Sequence, residues 1–173
     1  WRIAKVIRIE NETANTRRYW LQVAELERFD FIPGQFVTLD LPIHEKKNKR
    51  WRSYSIASWP DGTNIFELVI VLMEDGAGTS YLFNEVKEGD ELPFRGPVGV
   101  FTLPDVMDTD YYLICTGTGI APFRSMLHSI ALKATPHTNV YLIFGTRKME
   151  NLLYYEELKN LTAANPGLHY IPV

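Results

Sequence analysis

Arg52, Ser53, Tyr54 and Ser55 stand together in the stretch RWRSYSIAS, residues 50–58. A guanidinium can grip a phosphate through two parallel hydrogen bonds. On a strand, residue i+2 shares a face with residue i, so Tyr54 lies on the Arg52 face. Its ring can stack there on a flat aromatic ligand. Ser55 points the other way unless the strand bends, yet its hydroxyl or N–H can reach a ring nitrogen. Alone, the stretch reads more simply as an exposed strand with a solvated arginine. A second group is Gly76, Gly78, Thr79 and Ser80 in EDGAGTSYL. Two glycines bare the backbone just before a helix-like segment, with hydroxyls at its start, which suits a phosphate. The plainer alternative is a flexible turn with a capping Thr.

The third group is Thr116, Gly117, Thr118, Gly119 and Pro122 in CTGTGIAP. It follows an apolar strand and opens a helix. A helix start offers unpaired N–H groups and a positive dipole end. Glycines allow close approach of a pyrophosphate. Pro122 replaces the third glycine of the usual dinucleotide pattern and fits a first helical turn. A short glycine pattern is equally consistent with a tight turn that binds nothing.

The elements that must carry these groups fall into two kinds. Residues 1–104 read as short strands with frequent turn signals: WRIAKVIRIE, RRYWLQV, PGQFVTLDLP, SYSIAS, NIFELVIVLM, and two more within KEGDELPFRGPVGVFTLP. This pattern predicts a small antiparallel β-barrel. TSYLFNEV is its one helical piece, with Thr79 or Ser80 as cap. Residues 109–173 alternate differently: YYLICTGTG, a helix with apolar residues at 123, 126, 127, 130, 131 and 134, NVYLIFGTR, a helix over NLLYYEELKNLTAA, and LHYIPV. Strand, helix, strand, helix, strand predicts an α/β domain with a parallel sheet. The boundary lies near residues 103–110.

The bulk numbers are those of a globular chain. Of 173 residues, 46% are apolar and 23% charged, and the net charge is −3. That balance argues against a general nucleic-acid binder. One cysteine, Cys115, excludes an internal disulfide framework and any cysteine-ligated cluster within the chain. It reads as a small buried filler. No apolar run reaches membrane-spanning length. A cytoplasmic setting is expected. His44, His128, His137 and His169 are scattered and suit surface or packing roles. The chain starts at Trp1 and stops within a strand, so it reads as a piece of a longer protein.

Together and in this order, the groups resemble the ferredoxin–NADP reductase family of flavoproteins. The carriers are Arg52-Ser53-Tyr54-Ser55, Gly76-Ala77-Gly78-Thr79-Ser80, KEGDELPFRGPVGVF, GTGIAPFRSML and FGTRKMENLLYYEEL. The resemblance implies an FAD-binding barrel followed by an NAD(P)-binding parallel-sheet domain. Arg52 would pair with the flavin pyrophosphate, with Ser53 beside it. Tyr54 would lie against the isoalloxazine ring, and Ser55 near its hydride-accepting nitrogen. These two would be the residues closest to the chemistry. Val69 to Met73, including Val71, would run beside the nucleotide half of FAD. Gly76, Gly78, Thr79 and Ser80 would hold the pyrophosphate. Thr116 to Gly119 and Pro122 would lie under the NAD(P)H pyrophosphate, and Gly145, Thr146 and Arg147 beside its adenosine. FMN is the lesser alternative to FAD, and no metal is implied.

The implied activity is hydride transfer from NAD(P)H to flavin, then single electrons to a ferredoxin, flavodoxin or other one-electron acceptor. A reductase component of an oxygenase or multi-domain electron-transfer chain is a second reading. A non-catalytic flavin- or nucleotide-binding regulatory subunit is a third. The family's domain continues with two further strands, a Cys-Gly motif and a C-terminal group near the flavin, which this sequence lacks. Coenzyme choice is expected to lie in that missing part. The shortened sheet should expose an apolar edge and leave the 173-residue piece unstable or self-associating. The basic loop HEKKNKRWR reads either as a solvated hairpin tip or as a docking patch for an acidic acceptor.

Overall fold

A computed structural model describes all residues, 1–173. Its first part is a six-stranded sheet, antiparallel at every pairing. The strands are β1 (Arg2–Thr13), β2 (Thr16–Gln22), β3 (Phe36–Asp40), β4 (Trp51–Ser55), β5 (Ile65–Val71) and β6 (Glu91–Val98). Their order is β4-β3-β6-β1-β2-β5, so β4 and β5 are the sheet's ends. The ends meet without a closing ladder. Just past β4, the Ala57 N–H donates to the Glu67 carbonyl of β5 at 2.8 Å, and Ser58 Oγ accepts from the Glu67 N–H at 2.9 Å. The barrel expected from the sequence is thus present as a curled, unclosed sheet.

Alternation along these strands puts one face inward. Phe29, Phe66 and Phe94 meet at its centre, with ring centroids 4.8 to 5.8 Å apart. The helix α1 (Ala77–Asn84) covers one end. Its Leu82 is buried, and the Tyr19 hydroxyl donates to the Leu82 carbonyl at 3.0 Å. KEGDELPFRGPVGVFTLP holds one strand rather than two. Gly99 turns the chain out of β6 at φ +124°, and Phe101 leaves to pack on Phe123, 5.7 Å between centroids.

The second part is the parallel sheet β7 (Tyr111–Thr116), β8 (Val140–Gly145) and β9 (Leu168–Pro172), in that order. Helices α2 (Ile120–Lys133) and α3 (Tyr155–Ala164) make the crossovers. Leu113, Leu142, Phe144, Leu127, Ile130 and Leu158 form its core. The expected single apolar face of α2 is too narrow a description. Every residue from Ile120 to Leu127 is buried, because the helix is lodged between its own sheet and the first part. Ala57 and Val69 of the first part join the same core. The other face of the sheet bears exposed Tyr112, Ile114 and Ile171, with the Tyr112 and Tyr141 rings stacked at 4.9 Å.

The helix expected over 151–164 starts at Tyr155. Met149–Asn151 form a 3-10 turn, and Leu152, Leu153 and Tyr154 turn inward as a buried break. Tyr154 takes φ +56°, and its N–H donates to Glu12 Oε1 at 2.7 Å. No helix is long and apolar enough to cross a membrane.

Candidate functional site

β4 is an end strand, so its far side is free to meet something other than a neighbouring strand. Its register with β3 fixes the directions: Tyr54 pairs with Val37, Arg52 with Leu39, Ser53 with Thr38 and Ser55 with Phe36. Arg52 and Tyr54 therefore share one face, and Ser53 and Ser55 the other. The Ser53 and Thr38 hydroxyls lie 2.9 Å apart. Tyr54 packs half-buried against the barrel core. Burial pushes its phenol up to about 12, with the Arg52 charge working against the rise.

Arg52 meets the start of α1. A Cβ built on Gly78 would lie 2.9 Å from Arg52 Cγ and 3.1 Å from its Nε. Only a glycine lets the arginine lie this close to the helix. Arg52 Nη1 donates to the carbonyls of Lys49 and Trp51 at 3.1 and 2.8 Å, and its Nε and Nη2 make no hydrogen bond. The helix start has no side-chain cap, so its first N–H groups stay available. The structure thus brings Arg52 and the Gly76–Ser80 stretch, which the sequence offers as separate candidates for holding phosphate, into contact around one cradle. The cradle fits a diphosphate by its donor set: a forked guanidinium with unused donors beside a bare helix start.

The expected cap is corrected here. Gly76 is the residue preceding α1, and Thr79 lies inside the first turn. Thr79 Oγ1 accepts from the Met73 N–H at 3.1 Å and sits 3.1 Å from the Gly76 carbonyl, tying the loop back on itself. Ser80 follows it, half-buried. Val69 is 4% exposed, and its side chain packs into the core of the second part, which leaves its main chain at the end-strand edge as the part that can lie beside a ligand. Val71, two residues on, is only half-buried.

Val71 and Thr16 face Gly117 and Thr118 across a cleft of about 180 Å³. Gly117 takes φ +51°, which favours glycine, and a Cβ there would meet open space. Gly119 leads into α2 with no side-chain cap. A second cleft of about 640 Å³ lies at the carboxyl ends of β7 and β8, walled by Thr116, Gly117, Gly145, Thr146 and Arg147. Both clefts share Gly117 and Asn151. Ligands of open parallel sheets bind at such carboxyl ends. Pro122 does not face them: its ring is buried in the first turn of α2. Cys115 is buried too, and burial pushes its thiol up to about 12.

Two families match the sequence. Residues 3–103 match the one described as "Oxidoreductase FAD-binding domain", and residues 113–173 the one described as "Oxidoreductase NAD-binding domain". A relative named ferredoxin–NADP reductase B, from Sorangium cellulosum, is 34% identical over 167 residues, 96% of this chain and 67% of that one. The chain belongs to the ferredoxin–NADP reductase family. Methane monooxygenase component C of Methylosinus trichosporium is 33% identical over 170 residues, covering 96% of this chain and 48% of its own length. Among solved structures, the Amycolatopsis cytochrome P450 reductase GcoB matches 99% of this chain and 51% of its own, with TM-score 0.84 and 27% identity. The ferredoxin–NADP+ reductase of Plasmodium falciparum matches at 21% identity with TM-score 0.81, over 99% of this chain and 69% of its own, which speaks for the fold alone. The chain thus spans from about half to two thirds of these relatives.

Sequence reasoning missed a buried charged cluster between the two parts of this reductase-family chain. Glu67 is 2% exposed and accepts from Arg18, Arg124 and the Tyr154 hydroxyl at 2.6, 2.9 and 2.7 Å. Arg124 also grips Glu157 with two bonds, and Glu157 lies 2.6 Å from His128 Nε2. Burial disfavours the Glu157 charge, but the bonds from His128 and Arg124 outweigh it and hold the carboxyl down at about 2. The signal was a lone glutamate in the apolar run IFELVIV and a lone arginine in IAPFRSML. Charges in such runs are rarely buried without partners.

Proposed function

We propose that this chain is the flavin- and nicotinamide-handling portion of an NAD(P)H-dependent reductase that feeds electrons to a one-electron acceptor protein. The observation that carries the reading is the contact of Arg52 with Gly78, which merges the arginine and the bare start of α1 into one diphosphate cradle. In this reading Arg52 and the α1 N–H groups hold the FAD pyrophosphate. Tyr54 offers its ring to the flavin plane, and Ser55 offers a hydroxyl at the end of β4. Bound FAD supplies a hydride acceptor that can release electrons singly. Thr116 to Gly119 hold the dinucleotide pyrophosphate, and Gly145, Thr146 and Arg147 flank its adenosine. The chain's own work is to bind and orient, which lowers the barrier by holding the reacting atoms in place.

A second form of the reading is the reductase component of an oxygenase system, which the name of the Methylosinus trichosporium relative favours. In either form the exposed Lys46, Lys47 and Lys49, around the 3-10 turn Lys47–Lys49, serve as a docking patch for an acidic acceptor.

The test is the visible spectrum of the full-length protein, followed by anaerobic mixing with NADH and NADPH. Yellow protein that releases FAD and bleaches with either coenzyme is the expected result. Folded protein that neither holds nor takes up FAD would sink the reading. Reversing the three lysines to glutamate should slow acceptor reduction at low salt and leave ferricyanide reduction alone. An unchanged acceptor rate removes the docking patch.

A further inference from the structure

The buried cluster between the two parts has no place in cofactor binding as described above. Its centre is Arg124, 3% exposed, five residues beyond Gly119 in α2. Arg124 Nη1 donates to the Ala57 carbonyl at 3.0 Å and to Glu67 Oε2 at 2.9 Å. Ala57 lies two residues beyond Ser55. On the other side Nε and Nη2 donate to the two Glu157 oxygens at 2.6 and 3.0 Å. The guanidinium lies over the Tyr154 ring at 4.2 Å and the Trp59 ring at 5.2 Å, and Trp59 stacks on His128 at 3.7 Å. Glu12 extends the cluster, accepting from the Tyr154 N–H at 2.7 Å. One side chain thus links the end of the flavin strand, strand β5, and the break before α3 to the helix that begins at the glycine turn.

A buried ion pair is a poor source of stability, since desolvation cancels much of its attraction. Its bonds are directional, however, and weaken quickly as angles open. Apolar contacts such as Ala57, Val69 and Phe123 can slide; a forked arginine cannot. We infer that Arg124 is a positioning residue, which through Glu67, Ala57 and Glu157 fixes the placement of the Thr116–Gly119 turn relative to Tyr54 and Ser55. This rests on the proposed function, in which one turn carries the nicotinamide cofactor and the other the flavin. An error of about 1 Å in such a placement costs about a hundredfold in rate.

The experiment uses the full-length protein with Arg124→Lys and, separately, Glu67→Gln, which keep bulk but break the fork or its anchor. Spin labels at Lys5→Cys and Asn160→Cys, both exposed and one in each part, report the distance between the parts without added nicotinamide. Stopped-flow reduction by NADH or NADPH reports hydride transfer. Oxidation of photoreduced protein by ferricyanide reports the flavin alone. The expected result is a broader or shifted distance distribution and reduction slowed roughly 10- to 100-fold. The loss should appear in kcat more than in KM, with ferricyanide oxidation unchanged. A lower melting temperature with unchanged distances and rates would make the cluster a stability element only and overturn the inference. Shifted distances with a full reduction rate would overturn it too. If Arg124→Lys does not fold, Glu67→Gln decides. Wild-type flavin that neither coenzyme reduces defeats the parent reading instead, and the label distances then decide whether Arg124 fixes the two parts.

Discussion

Two arginines divide the labour of this molecule. Arg52 lies half-buried on an end strand, with Nη1 bonded to two carbonyls and Nε and Nη2 idle. Arg124 is buried, with its fork filled by Glu157 and its remaining bonds by Glu67 and Ala57. Each has a tyrosine beside it, Tyr54 and Tyr154. Burial disfavours the Arg124 charge, yet the bond to Glu157 and the surrounding carboxylates more than restore it. A guanidinium with spare donors beside a bare helix start can still take a ligand. One whose donors are filled can only hold protein to protein. Free hydrogen-bonding capacity, not residue type, separates a binding arginine from a positioning one.

The sharpest way to break this comparison is to delete both side chains. Arg124→Ala should destabilise the fold by about 2–3 kcal/mol, because buried Glu67 is left with Arg18 as its one cation and half-buried Glu157 with His128. Arg52→Ala should change stability by no more than about 0.5 kcal/mol. Urea unfolding of the FAD-free protein measures both, and equal losses would erase the distinction. With FAD the order reverses. Arg52→Ala should weaken FAD binding about a hundredfold, the worth of roughly two charge-assisted hydrogen bonds partly offset by solvation. A fluorescence titration with an unchanged Kd would remove Arg52 from the cradle.

Acid should attack the Arg124 side first. The Glu157 carboxyl is held at about 2 against an ordinary 4.5. A lowered folded value means that its stabilisation is present above about pH 4.5 and lost as pH falls towards 2. The loss should be on the order of 2 kcal/mol after allowing for partial solvent screening. Glu157→Gln should flatten that part of the stability curve. Chemical denaturation at pH 3 and pH 6 makes the comparison, and an equal pH slope in the variant would assign the acid sensitivity elsewhere.

The Arg52 side of the molecule was readable in the sequence because its signals are local. RSYS on a strand, glycines before a helix, and CTGTG after an apolar run each span fewer than ten residues. The strand pattern and the parallel-sheet alternation were readable for the same reason. The Arg124 side depends on distant partners. Arg124 and Glu67 are 57 residues apart, and Glu12 and Tyr154 are 142 apart. The late start of α3 was hidden for that reason: Glu12 and the burial of Leu152 to Tyr154 override a segment with sound helical composition. The packing of the Val69 side chain was hidden likewise: alternation says which face a side chain takes, but not that a second core waits there.

The smallest expected effect distinguishes the two tyrosines by one oxygen each. The Tyr154 hydroxyl donates to Glu67 Oε1 at 2.7 Å in a buried setting, and the Glu67 carboxylate also holds Arg18 and Arg124. The Tyr54 hydroxyl makes no hydrogen bond to the protein. Tyr154→Phe should therefore cost about 1–2 kcal/mol: a bond to a charged acceptor is lost, although Glu67 keeps its two arginines. Tyr54→Phe should leave the stability of the FAD-free protein within about 0.5 kcal/mol, since the ring that packs on the barrel core is unchanged. Urea midpoints of the two variants, measured side by side, give the difference directly. A Tyr54→Phe cost as large as that of Tyr154→Phe would mean that the Tyr54 hydroxyl has an internal partner, and the binding face would then be less free than its open donors imply.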